Sequence, residues 1–341
     1  MSTTEPLRDI PAWLVEMMPQ ARQVNPQNTQ YWLSQSWADN TLRGYRAGLE
    51  HFCAWCGIAQ PLPTSSRMIA AYLSDHAQCL APSTLSHRVA ALSFAHRLLN
   101  APDPTQDAQV RAVLRGIHRH HAQQQGWQTQ QVPPLKLEQL WKMVQGCGQD
   151  QRALRDRCYL LLGFFGAFRQ SELSALKVAQ LQWVDEGLLI HMGPTKTDPL
   201  NEHRAAKAFV EGAPELCPLA ALRAWLAASQ IHEGYVFRGI DRNRTLRHTP
   251  LTHPSANRII KERARAAGIA HWAQLSTHSL RAGFITAARE LEAQNWQIMR
   301  QSQHRDERTL NIYDRPDSAF KGNAVISLMR HAQTLIKTPS H

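Results

Sequence analysis

The run CYLLLGFFGAF, residues 158–168, constrains the fold more than any other stretch of this 341-residue chain. It is apolar from end to end and stands between two arginines, Arg157 and Arg169. Crossing a bilayer takes roughly 20 apolar residues, so the run is too short to span one. A helix that is apolar on every face belongs instead at the centre of a domain, with other elements packed around it. The chain is long enough to supply them. At roughly 150 residues per domain it predicts two domains, and a hydrophobic content of 43% suffices for real cores.

The patterning before this run is all helical. Asn40 is placed to cap a helix in which Leu42, Tyr45, Leu49, Phe52 and Cys56 recur at helical spacing, and Gly57 with PLPTSS ends it. A second helix is expected over Arg67–His76. A third follows Pro82, with Ser83 as its cap, and carries Leu85, Val89, Leu92 and Leu99. After the break APDPT, a fourth covers 106–121. Its Arg111, Arg115 and Arg119 recur every four residues and form one basic stripe. The polar, Gln-rich stretch that ends in Pro-Pro reads as an interdomain linker. The expected division is a helical domain over 1–121 with a flexible extreme N-terminus, a linker over 122–134, and a second domain over 135–341.

The second domain opens with a fresh helical pattern at Leu137, Leu140 and Met143 and continues into the apolar helix. LQWVDEGLLIHMGPTKTD (181–198) differs: it alternates and has turn residues at Asp185-Glu186-Gly187 and Gly193-Pro194, so it predicts a small antiparallel sheet. Helix returns over 217–229, 254–268 and 277–292. The fold class is therefore mainly α, with a small antiparallel sheet in the second, mostly α domain. The sequence contains no internal repeat and no GxxxxGK[ST] or GxGxxG fingerprint of a nucleotide site.

Net charge is +11 with a sequence pI near 9.7, which favours a polyanionic partner. The N-terminus, MSTTEPLRDIPAWL, lacks the pattern of a signal peptide, so a cytoplasmic location is expected and nucleic acid is the better guess for the partner. Of six cysteines only Cys53 and Cys56 form a C-x-x-C. No second pair completes a zinc site, so reduced cysteines on a helix are expected.

Several cations could do chemistry. His278 and Arg281 are three apart, about 300° at 3.6 residues per turn, so they share a helix face and can grip one anion; for such a pair taken alone, a solvated face is the commoner explanation. Arg169 ends the apolar helix with Glu172 three residues on. This is either a structural ion pair or a guanidinium aimed at a phosphate by its carboxylate. Lys196 in GPTKTD sits at the turn of the hairpin, either solvated or delivered to a leaving oxygen. His304 and Tyr313 follow nine residues apart. Tyrosine, with a reference pKa near 10, is a poor nucleophile unless cations favour its ionised form. No Asp/Glu cluster stands near these motifs, and the set fits metal-free phosphoryl transfer to tyrosine.

Taken in order, Arg169 in GAFRQSELSAL, Lys196 in TKT, His278 and Arg281 in HSLR, then His304 and Tyr313, resemble the tyrosine recombinase (phage integrase) family. TLRGYRAGLEHFCAWC and PSTLSHRVAALSFAH resemble its helical core-DNA-binding domain. The layout is similar to the two-domain Cre and Xer type. The resemblance implies a site-specific recombinase that cuts and rejoins DNA through a 3′-phosphotyrosyl link and a Holliday junction, without metal, ATP or another cofactor. It implies Tyr313 as nucleophile, Arg169 and Arg281 on the non-bridging oxygens, His278 as base, Lys196 as general acid, His304 beside the phosphate, and Glu172 in support. The implied partner is double-stranded DNA with an inverted-repeat site, bound by a homotetramer whose protomers are monomers in free solution and exchange a C-terminal helix from about residue 320. Arg111, Arg115 and Arg119, with Arg43 and Arg88, are candidates for DNA contact. Type IB topoisomerase or telomere-resolvase activity, or an inert DNA-binding protein, are alternatives on the same fold. One departure is Gln303, where the family commonly has glycine.

Overall fold

The computed structural model describes residues 39–58, 61–124, 132–193, 205–304 and 306–310, together with Val325 and Met329. The extreme N-terminus, Lys196, Tyr313 and nearly all of the segment expected to form the exchange helix lie outside the described residues. The chain divides into two compact units, 1–130 and 131–341.

The first unit contains helices α1 (Asp39–Cys56), α2 (Ser66–His76), α3 (Pro82–Leu98) and α4 (Ala108–Gln123). Leu49, Phe52, Tyr72, Leu73, Leu85 and Leu92 form its core. Three helix starts differ from the sequence pattern. Asn40 lies inside α1, where its side chain accepts from Arg43 at 3.0 Å. Ser83 is not the cap of α3: Pro82 itself takes the first turn, where its missing N–H costs no hydrogen bond, and Ala81 is the N-cap. Asp107 caps α4 by accepting from the Gln109 N–H at 2.7 Å, so this helix starts at Ala108 and runs to Gln123, two residues into the expected linker. Buried His96 accepts the Thr64 N–H at Nε2 and donates from Nδ1 to the Leu92 carbonyl, which ties the loop before α2 to α3.

The second unit comprises α5 (Leu137–Gln145), α6 (Gln151–Phe165), α7 (Gln170–Ser174), β1 (Leu181–Val184), β2 (Gly187–His191), β3 (Ala206–Phe209), α8 (Pro218–Ser229), β4 (Arg238–Ile240), β5 (Leu246–Pro250), α9 (His253–Ala266), α10 (Thr277–Glu290) and α11 (Asn295–Ser302). As its apolarity dictates, α6 is the centre of the core: Cys158, Tyr159, Leu160, Leu161 and Leu162 are all fully buried. It packs between α8 and α10. Gly163 lets α10 come close, since a Cβ there would lie 2.7 Å from Leu280 Cδ1. The sheet has the order β1-β2-β3, antiparallel throughout, with Ile190 opposite Lys207 and Leu188 opposite Phe209. A second antiparallel pair, β4–β5, is not anticipated by the sequence pattern, because exposed polar residues dominate β5. At the edge of the core Asp156 accepts from both Arg155 and Arg263, each at 2.7 Å.

Among the described residues no helix is long and apolar enough to cross a membrane, and no cluster of His, Cys, Asp and Glu could hold a metal ion. All six cysteines are free.

Candidate active site

The turn from α6 into α7 is where the apolar helix yields to chemistry. Ala167 follows Gly166 with φ +46, a left-handed conformation that is uncommon for a residue with a side chain. This turn presents the Ala167 carbonyl to Arg281, whose Nη1 donates to it at 2.5 Å. Arg169 then caps α7. Glu172 accepts the Arg169 N–H at one carboxylate oxygen, 2.9 Å away, and its guanidinium at the other, 2.7 Å away. The ion pair is therefore present, and the same carboxylate that closes the turn also holds the Arg169 guanidinium.

Arg169, His278, Arg281 and His304 line one open cavity of about 510 Å³, together with Gln170, His253, Asn257 and Ser276. Arg281 is only 2% exposed. Its Nη2 donates to His304 Nε2 at 3.0 Å, which leaves Nδ1 of that ring to donate to Ser302 Oγ at 2.7 Å. Burial, then the neighbouring Arg281 and Arg169, push the His304 pKa down to about 3. The ring is thus neutral near pH 7 and acts by hydrogen bonding. His278 opens to solvent, yet crowding around the ring and the charge of Arg281 hold its pKa below the usual 6.5. A neutral imidazole with a free lone pair suits proton acceptance.

Gln303, at the end of α11, has φ 57 and ψ 41. It adopts the left-handed helix end that glycine would give more readily, so the departure from the family pattern does not displace His304 from the cavity.

Three contributions escape the motif reading. Asn257 accepts from the Thr277 N–H at 3.0 Å and its hydroxyl at 3.1 Å, fixing the start of α10 one residue before His278. Gln170 donates to the His253 carbonyl at 2.9 Å and ties α7 to α9. Lys207, fully buried on β3, lies close enough to Glu172, Arg281 and Arg169 to feel their charges. The cue for Asn257 is its i, i+4 spacing from His253 on a helix otherwise rich in charge. The cue for Lys207 is strand parity, which requires β3 to be identified first. Among the DNA-contact candidates, Arg43, Arg111, Arg115 and Arg119 are exposed, whereas Arg88 is half-buried and has a buried Nε.

A mostly helical domain with a small antiparallel sheet and a cavity walled by arginine and histidine defines the catalytic fold of the tyrosine recombinases. Solved structures share that fold, among them two captured on DNA. The XerH site-specific recombinase bound to palindromic difH substrate in a post-cleavage complex matches with a TM-score of 0.60 at 15% identity, over 96% of this chain and 99% of that one. The Tn1549 transposon integrase in complex with transposon right-end DNA matches with a TM-score of 0.62 at 13% identity, over 94% and 99%. In sequence, the model of the phage integrase family matches residues 134–319. An integrase/recombinase XerD homolog from Selenomonas ruminantium is 33% identical over 300 residues, 86% of each chain. The chain belongs to the phage integrase family and is an Xer-like, tyrosine-type site-specific recombinase.

Proposed function

We propose that the protein cuts and rejoins double-stranded DNA at a defined site through a covalent 3′-phosphotyrosyl intermediate. The observation that carries this reading is the convergence of Arg169, His278, Arg281 and His304 on a single cavity from three separate parts of the sequence. A phosphodiester under attack gains negative charge on its non-bridging oxygens, and fixed cations stabilise that charge more in the transition state than in the ground state. Arg169 and Arg281 supply it. His278 accepts the Tyr313 proton as Oη bonds to phosphorus. The bond from phosphorus to the 5′ oxygen breaks, and Lys196 protonates the leaving hydroxyl. His304 hydrogen-bonds the phosphate, and Glu172 keeps Arg169 aimed. The phosphotyrosyl link conserves the bond energy, so the reverse attack by a partner strand's 5′-hydroxyl needs no ATP, and the positive side chains do the work that a divalent metal does elsewhere.

The first unit would form the helical core-DNA-binding domain. Arg111, Arg115 and Arg119 would contact phosphates, with Arg43 and Arg88 as further contacts, giving affinity and salt dependence without choosing sequence. Four protomers on two inverted-repeat sites, each exchanging a terminal helix with a neighbour, would make and resolve a Holliday junction. Relatives support the DNA partner: XerH and the Tn1549 integrase were each captured on their own DNA substrates.

The decisive measurement is covalent capture on a nicked suicide substrate. Wild-type protein is expected to form a protease-sensitive adduct at the 3′ end, and Tyr313→Phe to bind the same DNA and form none. An adduct with Tyr313→Phe overturns the nucleophile assignment.

A further inference from the structure

Lys207 is the one fully buried lysine among the described residues. On β3 it stands opposite Ile190, and its neighbour of the same parity, Phe209, stands opposite Leu188. It therefore occupies an inward position in a core that is otherwise apolar, where an ammonium is costly unless specific partners hold it. Two partners do. The Nζ donates to the Gln301 carbonyl in the last turn of α11, and it lies 4.9 Å from the centroid of the Phe168 ring. The last carbonyls of a helix lack intrahelical donors, and a cation there also meets the negative end of the helix dipole. Gln301 returns the contact: its Nε2 donates to the carbonyls of Ala208 on β3, at 3.1 Å, and Phe165 at the end of α6, at 3.0 Å. Strand, helix end and central helix are knitted at one point.

That point adjoins the catalytic corner along the chain. Ser302 comes next and accepts from His304 Nδ1, Gln303 makes the left-handed turn, and His304 meets Arg281. We propose that Lys207 is a positioning residue for strand cleavage, whose Nζ donor clamps the last turn of α11 and so fixes His304 against Arg281 at the cavity. The inference rests on the role given to His304 above. Lys207 acts through that corner, being wholly buried and absent from the cavity wall. Its electrostatic setting agrees. Burial lowers its pKa to about 7, with Glu172 favouring the charged form and Arg281 and Arg169 opposing it, so Lys207 feels the same charges as the cavity, and its Nζ keeps a proton to donate to Gln301 in either charge state.

The test is a double-mutant cycle in single-turnover cleavage of the suicide substrate, with DNA affinity measured alongside. Lys207→Met keeps the stem and its packing on Phe168 while removing the donor. It is expected to slow cleavage about 10–100-fold, the cost of a small misplacement in a preorganised site, with affinity changed less than about twofold. In a His304→Ala background the same substitution should cost less than about twofold. Should Lys207→Met fail to fold, Lys207→Gln carries the comparison: it keeps one N–H donor, and its smaller loss should likewise vanish without His304. Wild-type cleavage by Lys207→Met overturns the proposal, as does a loss that persists undiminished in the His304→Ala background. If His304→Ala alone cleaves like wild type, the role of His304 itself is wrong, and the proposal falls with it.

Discussion

Arg111, Arg115 and Arg119 on α4 are exposed along their helix, whereas Arg281 on α10 is buried and spends its guanidinium on the Ala167 carbonyl and the His304 ring. The same residue type thus stands in two physical settings in the two units. An exposed guanidinium keeps its water, is screened by salt, and attracts phosphate without fixing it. A buried one has given up its water and is held in one geometry, so its charge acts at one place and is preorganised for a developing anion. Composition alone reports the first kind, through a net charge of +11. The second kind depends on where a helix ends and which carbonyl it meets.

The sharpest break of this contrast is to truncate each kind. Arg281→Ala should lower single-turnover cleavage about 10²–10³-fold, the loss typical of removing one preorganised donor to a developing charge. Replacing Arg111, Arg115 and Arg119 together with alanine should act on binding instead. The slope of log affinity against log salt should become shallower by about 0.9 for each phosphate that is no longer neutralised, and cleavage at saturating protein should suffer far less than with Arg281→Ala. Salt titrations of affinity beside single-turnover rates separate the two. Equal rate losses would erase the distinction between the units.

How far the sequence discloses each kind of residue follows from its physics. The apolarity of residues 158–168 announces a central helix because burial on all faces leaves no room for a polar residue, and α6 covers the run as far as Phe165, its last three residues making the turn that follows. The grouping of Arg169, His278, Arg281 and His304 is legible as well, since the order and spacing of short motifs survive without coordinates, and all four line one cavity. Lys207 is not legible. Its strand is four residues long, and only pairing with β2 reveals that the lysine faces inward. The β4–β5 pair is hidden for a related reason: three of the five residues of β5 are exposed, so no alternation of apolar side chains marks the strand.

The buried lysine also marks the second unit in its response to pH. The folded protein holds the Lys207 pKa at about 7, against 10.5 for an ordinary lysine. Between those values the unfolded chain binds more protons than the folded one, so stability should rise with pH across that window, by up to about 1.4 kcal/mol per unit. Burial of Cys158 and Cys147 raises their pKa values, and raised thiols oppose the trend once unfolded thiols ionise. The readable interval therefore runs from pH 7 to about 8.5. Below it, His304 contributes a rise of the same sign between about 3 and 6.5. Chemical denaturation of wild type and Lys207→Met at pH 7.0 and 8.5 checks this: the wild type should gain stability and the variant should not. A slope that survives in Lys207→Met assigns the protons elsewhere.

The smallest effect lies at Gln303, in the turn just before His304. Its backbone is left-handed, at φ 57 and ψ 41, which costs a residue with a Cβ about 1–2 kcal/mol. Its Nε2 is buried without a hydrogen-bond partner, a second penalty. Glycine removes both but adds about 0.5–1 kcal/mol of chain entropy to the unfolded state and gives up the side chain's packing. The balance favours Gln303→Gly by roughly 0.5 kcal/mol. The turn itself should persist, because the bond from the Gln303 N–H to the Met299 carbonyl, 2.6 Å long, is made by the backbone. His304 should stay in place too, since Ser302 and Arg281 hold its ring and Lys207 holds the helix end beneath it. Cleavage should then match wild type while the denaturation midpoint rises slightly. A loss of stability instead would mean that the glutamine side chain packs well enough to outweigh the strain of its own backbone.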